Sequence, residues 1–281
     1  MKKERYSSRD YLFPLSIQIE LPENFRSNNR FLRHLKLLQE FGFYGVELNI
    51  ADPAKADIKY IQDFFLNFNL KITMLASGLT AKVFDLSLST SKESIRKRSI
   101  HKCKELIDFV AGTKVGIIVG FLKGALSPDS LKVRQLFTES LTEINDYAVT
   151  KKVKILIEAT NKKETSVINT LAEAVELVTR LNSRYLEILP DTYHMNIEEQ
   201  DGFNPLQKYK NYYRSLHISD NNRFFPGLGT IQFDVIFNLL RHIEYKNGVA
   251  IEGRIKNSFA QDLKDSMEYL IPLLTSVPNN T

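Results

Sequence analysis

The chain alternates short apolar runs of β type with longer stretches whose apolar positions recur every three to four residues. In the stretch 31–41, for example, Phe31, Leu35 and Leu38 fall on one helical face. Eight runs have the length and composition of strands: PLSIQIEL (14–21), GVELNI (45–50), KITMLAS (71–77), KVGIIVGF (114–121), VKILIEAT (153–160), YLEILPD (185–191), RSLHISD (214–220) and GVAIEGR (248–254). The pattern predicts eight strands, each followed by a helical segment.

Eight strand–helix units over about 250 residues are typical of a (β/α)8 barrel. We therefore predict an α/β protein in which residues 1–281 form a single TIM-barrel domain, with a polar N-terminal extension over residues 1–12. The second choice is a doubly wound open sheet. That fold usually carries a glycine-rich fingerprint after its first strand, and LPENFRSNN at 21–29 contains no glycine.

Four consecutive predicted strands end with an ionisable side chain that faces the inside of the barrel. Successive side chains of a strand point to opposite faces. In VKILIEAT (153–160) the apolar set therefore faces the helices, and Glu158 faces inward at the carboxyl end. The same parity places Asp191, His217 and Glu252 inward at the ends of the next three strands. Barrel enzymes have their active sites at this rim.

These four side chains form a donor set suited to a metal ion. Three carboxylates in so small a volume raise one another's pKa values unless a cation neutralises them. With one imidazole they suit Mn2+, Mg2+ or Co2+ better than a thiolate-preferring ion. We predict one divalent ion, Mn2+ as first choice, bound by Glu158, Asp191, His217 and Glu252. The alternative is four separate strand-end groups, solvated or in ion pairs, and the matching parity on adjacent strands favours the shared site.

Composition is that of an ordinary globular protein, with 43% hydrophobic and 25% charged residues. No apolar run approaches the ~20 residues that cross a bilayer. MKKERYSSRD at 1–10 has no apolar segment behind it, so we expect neither a signal peptide nor membrane contact. Cys103 is the single cysteine and lies on an apolar helical side, which indicates a buried hydrophobe and a reducing, cytoplasmic location.

The net charge is only +5, and basic residues are dense in one place, KESIRKRSIHKCK at 92–104. Their helical spacing and the lack of interleaved aromatic residues indicate a solvated helix face. We expect no nucleic-acid partner.

Four blocks of sequence carry a resemblance to a known family: FGFYGVELN (41–49), IEATNKKETSVINT (157–170), LPDTYHMNIEE (189–199) and LHISDNNRFFPGLGTIQF (216–233). With them the chain resembles the sugar phosphate isomerase/epimerase family, whose fold is a xylose-isomerase-like barrel, and within it the ketose 3-epimerases. The likeness spans roughly residues 14–275.

The resemblance implies a metal-dependent epimerase or isomerase for a keto-sugar or sugar phosphate. Such enzymes exchange a proton next to the ketone through an enediolate, as in 3-epimerisation. Glu158 and Glu252 would then be metal ligands and also the catalytic acid/base pair. Glu164, His194 and Arg223 would bind substrate oxygens near the reacting carbon. The resemblance also implies a small sugar as the partner and a homo-oligomer, either dimer or tetramer.

Other readings stay open at this point. An aldose–ketose isomerase or a keto-inositol dehydratase would use the same scaffold. A DNA-repair endonuclease with several zinc ions is a distant alternative, because KITMLASG and KVGIIVGF supply none of the extra histidines it needs. A non-catalytic sugar-binding module is a further alternative. Arg254, Lys123 and the turn 226–230 raise the possibility of a phosphate or carboxylate site for the far end of the substrate. Otherwise Arg254 would pair with an acid such as Glu47.

Overall fold

The computed structural model describes residues 6–124 and 126–275, in which eight parallel strands form a nearly closed barrel. The strands are β1 (Leu15–Glu20), β2 (Gly45–Asn49), β3 (Lys71–Ala76), β4 (Gly116–Val119), β5 (Ile155–Glu158), β6 (Leu186–Leu189), β7 (Ser215–Ile218) and β8 (Gly248–Ile251). All eight predicted strands are confirmed, each somewhat shorter than its apolar run.

Neighbouring strands pair in chain order, and β8 returns to pair with β1. Between β6 and β7 the ladder is reduced to a bridge between Asp191 and His217, where the His217 N–H donates to the Pro190 carbonyl at 2.9 Å. The predicted (β/α)8 barrel is confirmed, and the open doubly wound sheet is excluded by the β1–β8 pairing.

Ten α-helices are seen in the described residues: α1 (Asn29–Glu40), α2 (Ile58–Leu66), α3 (Gly78–Val83), α4 (Glu93–Val110), α5 (Ser130–Lys151), α6 (Leu171–Leu181), α7 (Thr192–Glu198), α8 (Pro205–Lys208), α9 (Phe233–His242) and α10 (Phe259–Thr275). Helix α1 buries the predicted face, Phe31, Leu35 and Leu38. Its N-cap Asn28 accepts a hydrogen bond from the Phe31 N–H, which satisfies one of the free amides at the helix start.

Two apolar layers follow the alternation of the strand residues. The large layer lies between strands and helices and includes Ile155, Ile157 and Leu216. A small cluster of Ile118, Leu156 and Leu189 fills the barrel interior below the rim. Inward and outward positions therefore match those predicted from a period of two.

Several smaller expectations concern the ends and the surface. Residues 1–5 of the predicted extension lie outside the described residues, whereas Tyr11 is buried and its hydroxyl donates to the Phe41 carbonyl at 2.6 Å. Cys103 is fully buried in α4, and burial raises the pKa of its thiol to about 12. The described residues contain no helix that is both long and apolar enough to cross a membrane.

Candidate metal centre and substrate pocket

The structure brings the four predicted ligands together at the carboxyl-terminal rim. Glu158 ends β5, Asp191 follows β6, His217 lies within β7, and Glu252 directly follows β8. One ligand atom from each residue lies within 4.8 Å of all the others. Four separate strand-end groups would not converge in this way. The four side chains are joined by ion pairs through His217 and Arg223, and their role as metal ligands stays a prediction.

The cluster fits a divalent cation on structural grounds. It offers three carboxylates and one imidazole, and the buried Glu158 Oε1 atom has no hydrogen-bond partner, its nearest cationic group being His217 Nδ1 at 3.4 Å. A buried, unsatisfied carboxylate oxygen is costly unless a cation or donor approaches it. In residues 6–124 and 126–275 no second group of three or more such side chains converges. The described part of the chain therefore offers one candidate metal centre.

Glu47, considered from the sequence as an ion-pair partner of Arg254, instead contacts His217. Its Nε2 atom lies 2.7 Å from Glu47 Oε2, and its Nδ1 atom lies 2.6 Å from Glu252 Oε2. Burial alone would lower the pKa of His217, but the Glu47 and Glu252 carboxylates raise it well above its usual value. As a metal ligand His217 would have to lose its Nδ1 proton, and the hydrogen bond from Nε2 to Glu47 would then fix the orientation of the ring. No ion pair joins Glu47 to Arg254 among the described residues.

The two candidate catalytic carboxyls lie in different electrostatic surroundings. Burial, and after it the Glu252 carboxylate, raise the pKa of Glu158. Burial would also raise the pKa of Glu252, but the Arg223 guanidinium and then His217 lower it well below its usual value. Arg223 Nη2 lies 2.9 Å from Glu252 Oε2. The same guanidinium donates from Nη1 to Asp191 at 2.5 Å.

Asp191 combines two roles at the end of its strand. Its Oδ1 atom accepts a hydrogen bond from the Tyr193 N–H at 2.8 Å, which caps helix α7. Its Oδ2 atom faces Arg223 and the metal cluster. Asp191 is thus the N-cap of helix α7, which places His194 at the same rim.

His194 and Glu164 are linked through Asn161. The Asn161 backbone N–H lies 3.2 Å from His194 Nδ1 and its side-chain Nδ2 lies 2.8 Å away. Because a backbone N–H can only donate, Nδ1 must accept, and in the neutral ring the proton is on Nε2. Asn161 Nδ2 also donates to Glu164 Oε1 at 3.1 Å. His194 therefore retains a donor nitrogen for a ligand.

A cavity of about 590 Å³ opens above the cluster. Its walls include all three predicted substrate-binding residues, Glu164, His194 and Arg223, together with Glu158 and Glu252. The remaining histidines, His34, His101 and His242, lie on helices α1, α4 and α9, away from this cavity. The strands β3 and β4 bring no histidine to the rim, as the sequence predicted.

The turn 226–230 is not free to bind an anion. The N–H groups of Gly227 and Gly229 donate to the buried Asp220 carboxylate at 3.0 and 2.9 Å, and that carboxylate accepts two further backbone N–H groups. The expectation of glycine amides available for phosphate is therefore wrong, because an internal carboxylate takes them. Arg254 is exposed and borders the cavity.

Lys123 is likewise not a pocket cation. Its side chain is fully buried, and Nζ donates to the Glu158 carbonyl, the Thr160 hydroxyl and the Ile168 carbonyl. Burial lowers its pKa to about 7, although nearby glutamates oppose the shift. Sequence reasoning placed Lys123 near the rim but could not show that it points beneath the site.

Comparison with known proteins agrees with this architecture. The chain belongs to the family described as the xylose isomerase-like TIM barrel, whose model matches residues 35–273. The 3-dehydro-D-guloside 4-epimerase of Escherichia coli (strain K12) is 28% identical over 267 residues, covering 90% of this chain and 96% of that protein. The ketose 3-epimerase of Arthrobacter globiformis is 28% identical over 230 residues, covering 80% of this chain and 78% of that protein.

Solved structures give the same result. The apo form of 3-keto-D-glucoside 4-epimerase from E. coli superposes with a TM-score of 0.78 at 25% identity, covering 92% of this chain and 99% of that chain. D-Allulose 3-epimerase from Methylomonas sp. in complex with D-allulose has a TM-score of 0.77 at 18% identity, covering 94% and 98%, a similarity that concerns the fold alone.

Proposed function

We propose that the protein is a divalent-metal-dependent sugar epimerase that inverts the carbon next to a ketone through an enediolate. The convergence of Glu158, Asp191, His217 and Glu252 within 4.8 Å beside a cavity is the observation that supports it most. That the chain is a sugar isomerase or epimerase accords with its named relatives, which are sugar epimerases. The metal and the reaction path are our inference.

The proposed reacting carbon follows from a feature common to the reactions of the two relatives. In a ketose 3-epimerase, the inverted carbon 3 is bonded to the keto carbon 2. In a 3-dehydro sugar, carbon 4 is bonded to the keto carbon 3. Both cases are proton exchange next to a ketone. Of these, 3-epimerisation is our first choice for this chain and the 4-epimerisation of a 3-keto sugar is the second.

In this reaction one of Glu158 and Glu252 removes the proton, and the other delivers a proton to the opposite face of the carbon. A bound divalent ion, Mn2+ by preference, would supply Lewis-acid stabilisation of the charge that develops on the substrate oxygens. His194, with its Nε2 proton, and Arg223 would donate hydrogen bonds to those oxygens, and one such donor is typically worth about 3 kcal/mol. Glu164 would orient a neighbouring hydroxyl.

The test is proton NMR of a sugar panel incubated in D2O with the protein and Mn2+. The panel holds free 2-ketoses, 3-keto-glycosides, a keto-inositol and an aldose. We expect loss of the proton signal next to the ketone and the appearance of one epimer. Aldose or dehydrated products would indicate the isomerase or the dehydratase instead.

Two variants examine the acid/base pair. Glu158→Gln and Glu252→Gln should each lower deuterium incorporation by a factor of about 10² to 10⁴ and leave the fold intact by circular dichroism. A variant that exchanges its proton at the wild-type rate would remove that residue from the acid/base role. The oligomeric state, predicted to be a dimer or tetramer, is measured by light scattering on the same samples.

A further inference from the structure

Lys123 is a charged side chain that the proposed reaction does not use. It ends the 3-10 helix Phe121–Lys123, which follows β4, and it has no exposed surface. Its Nζ atom lies 2.5 Å from the Glu158 carbonyl oxygen, 2.9 Å from Thr160 Oγ1 and 3.1 Å from the Ile168 carbonyl oxygen. Three oxygen acceptors around Nζ match the three N–H donors of an ammonium, whereas a neutral amine has only two, so the geometry is that of the protonated form.

The three acceptors lie at the two ends of one loop. Glu158 closes β5, and residues 159–169 then leave the barrel and return at Ile168. The Thr160 N–H donates to the Ile168 carbonyl at 3.2 Å. Asn169 Nδ2 donates to the Thr160 carbonyl at 2.8 Å. The loop is therefore closed at its base, and Lys123 lies at that closure.

This loop carries groups that border the cavity. Asn161 contacts His194, and Glu164 accepts from Asn161. Lys123 donates to the backbone carbonyl of Glu158, the same residue whose side chain faces the cavity. A shift at the loop base would therefore change the direction of the Glu158 carboxylate and the position of Asn161.

We propose that Lys123 is a positioning residue: its ammonium joins the end of β5 to both ends of the loop 159–169 and so fixes Glu158, Asn161 and Glu164 in their working positions. The consequence for catalysis depends on the proposed function. The consequences for metal affinity and for loop order do not depend on any particular sugar.

The main test is Lys123→Met, which keeps an apolar stem of similar length and removes the three donors. We expect about a hundredfold slower deuterium incorporation into the sugar and roughly tenfold weaker Mn2+ binding by calorimetry. In the metal-free protein, amide hydrogen exchange should become faster in the loop 159–169 and stay unchanged in the barrel strands.

The matched control is Lys154→Met, the same substitution of a lysine at the opposite end of the barrel, where Lys154 pairs with Glu187. It should leave Mn2+ affinity, deuterium incorporation and the exchange of residues 159–169 unchanged. An equal loss in both variants would assign the effect to general stability and overturn the proposal.

If Lys123→Met does not fold, a milder variant still tests the positioning role of Lys123. Thr160→Val removes one acceptor at nearly constant shape, and it should slow catalysis by up to roughly tenfold and speed loop exchange. A folded Lys123→Met, or Thr160→Val in its place, with wild-type Mn2+ affinity and wild-type loop exchange would refute the positioning role. If the wild type exchanges no sugar proton, the proposed function fails, while metal affinity and hydrogen exchange still decide the role of Lys123.

Discussion

The two ends of the barrel interior differ in how charged side chains are arranged on the neighbouring strands β5 and β6. Inward side chains within and directly beside each strand form a column that is charged at both ends and apolar in the middle: Lys154, Leu156 and Glu158 at β5, and Glu187, Leu189 and Asp191 at β6. At the amino-terminal end the neighbouring charges are opposite. At the carboxyl-terminal end they are both negative.

The difference shows where the molecule balances its charges by itself. Lys154 pairs directly with Glu187, whose Oε1 atom also lies 3.3 Å from Arg214 Nε. At the rim, Arg223 is the guanidinium that contacts Asp191 and Glu252. Glu158 Oε1 has no hydrogen-bond partner, and His217 Nδ1 lies 3.4 Å from it. Buried like charges repel unless a cation joins them. The balanced end is thus structural, and the unbalanced end is the candidate site.

Removing the metal should break this comparison most strongly. Dialysis against a chelator is expected to abolish proton exchange and to destabilise the folded protein, because an ion bound only by the native state adds about 2.7 kcal/mol at a hundred times its Kd. Thermal unfolding with and without Mn2+ measures this difference. Metal analysis should find one ion per chain. Full activity in metal-free protein would contradict the proposed centre.

Gly120→Ala should disturb the rim from the neighbouring strand end. A Cβ atom at this position would lie 2.0 Å from Glu158 Oε2, so the carboxylate must turn away. We expect about a hundredfold lower kcat with an intact fold, because a small misplacement of a reacting group has effects of that size. Gly248→Ala at the opposite end is the control, since its nearest neighbour would be 3.8 Å away. Equal kcat for both variants would argue against a precise placement of Glu158.

Variants of Glu47 test how its hydrogen bond with His217 Nε2 contributes to metal binding. Glu47→Leu removes the acceptor for Nε2 and should weaken Mn2+ binding by a factor of about 10 to 100. Glu47→Gln keeps an oxygen acceptor at the same place, and its effect should be smaller. Calorimetric titration of both variants with Mn2+ gives the two dissociation constants. Equal weakening would show that the charge of Glu47, rather than ring orientation, supports the site.

Lys154→Met should have the smallest effect. The Lys154 side chain is 41% exposed, and Glu187 keeps Arg214 as a partner, so the loss of stability is expected to be about 1 kcal/mol or less. Urea unfolding measures it, with Mn2+ affinity as the second readout. A change in Mn2+ affinity would mean that the two ends of the barrel are coupled, contrary to the comparison.

Much of the rim could be read from strand alternation alone. The period of two placed Leu156 and Leu189 in the barrel interior and the four candidate ligands at its mouth, as the structure has them. Their catalytic and substrate-binding roles remain predictions. Lys123 and the turn 226–230 were assigned to a possible anion site for the same positional reason. That assignment failed because proximity to the rim does not reveal which partner a side chain or amide will choose.

What the sequence determined by itself is which side chains face inward and at which end of a strand, because the alternation follows from the geometry of the extended backbone. Only the tertiary structure decided the partners. Glu47 meets His217 across 170 positions of the chain, Lys123 reaches a carbonyl 45 positions away, and Asp220 takes the amides of the turn. These contacts depend on barrel closure and on the paths of the loops, which bring distant segments together and which no local pattern encodes.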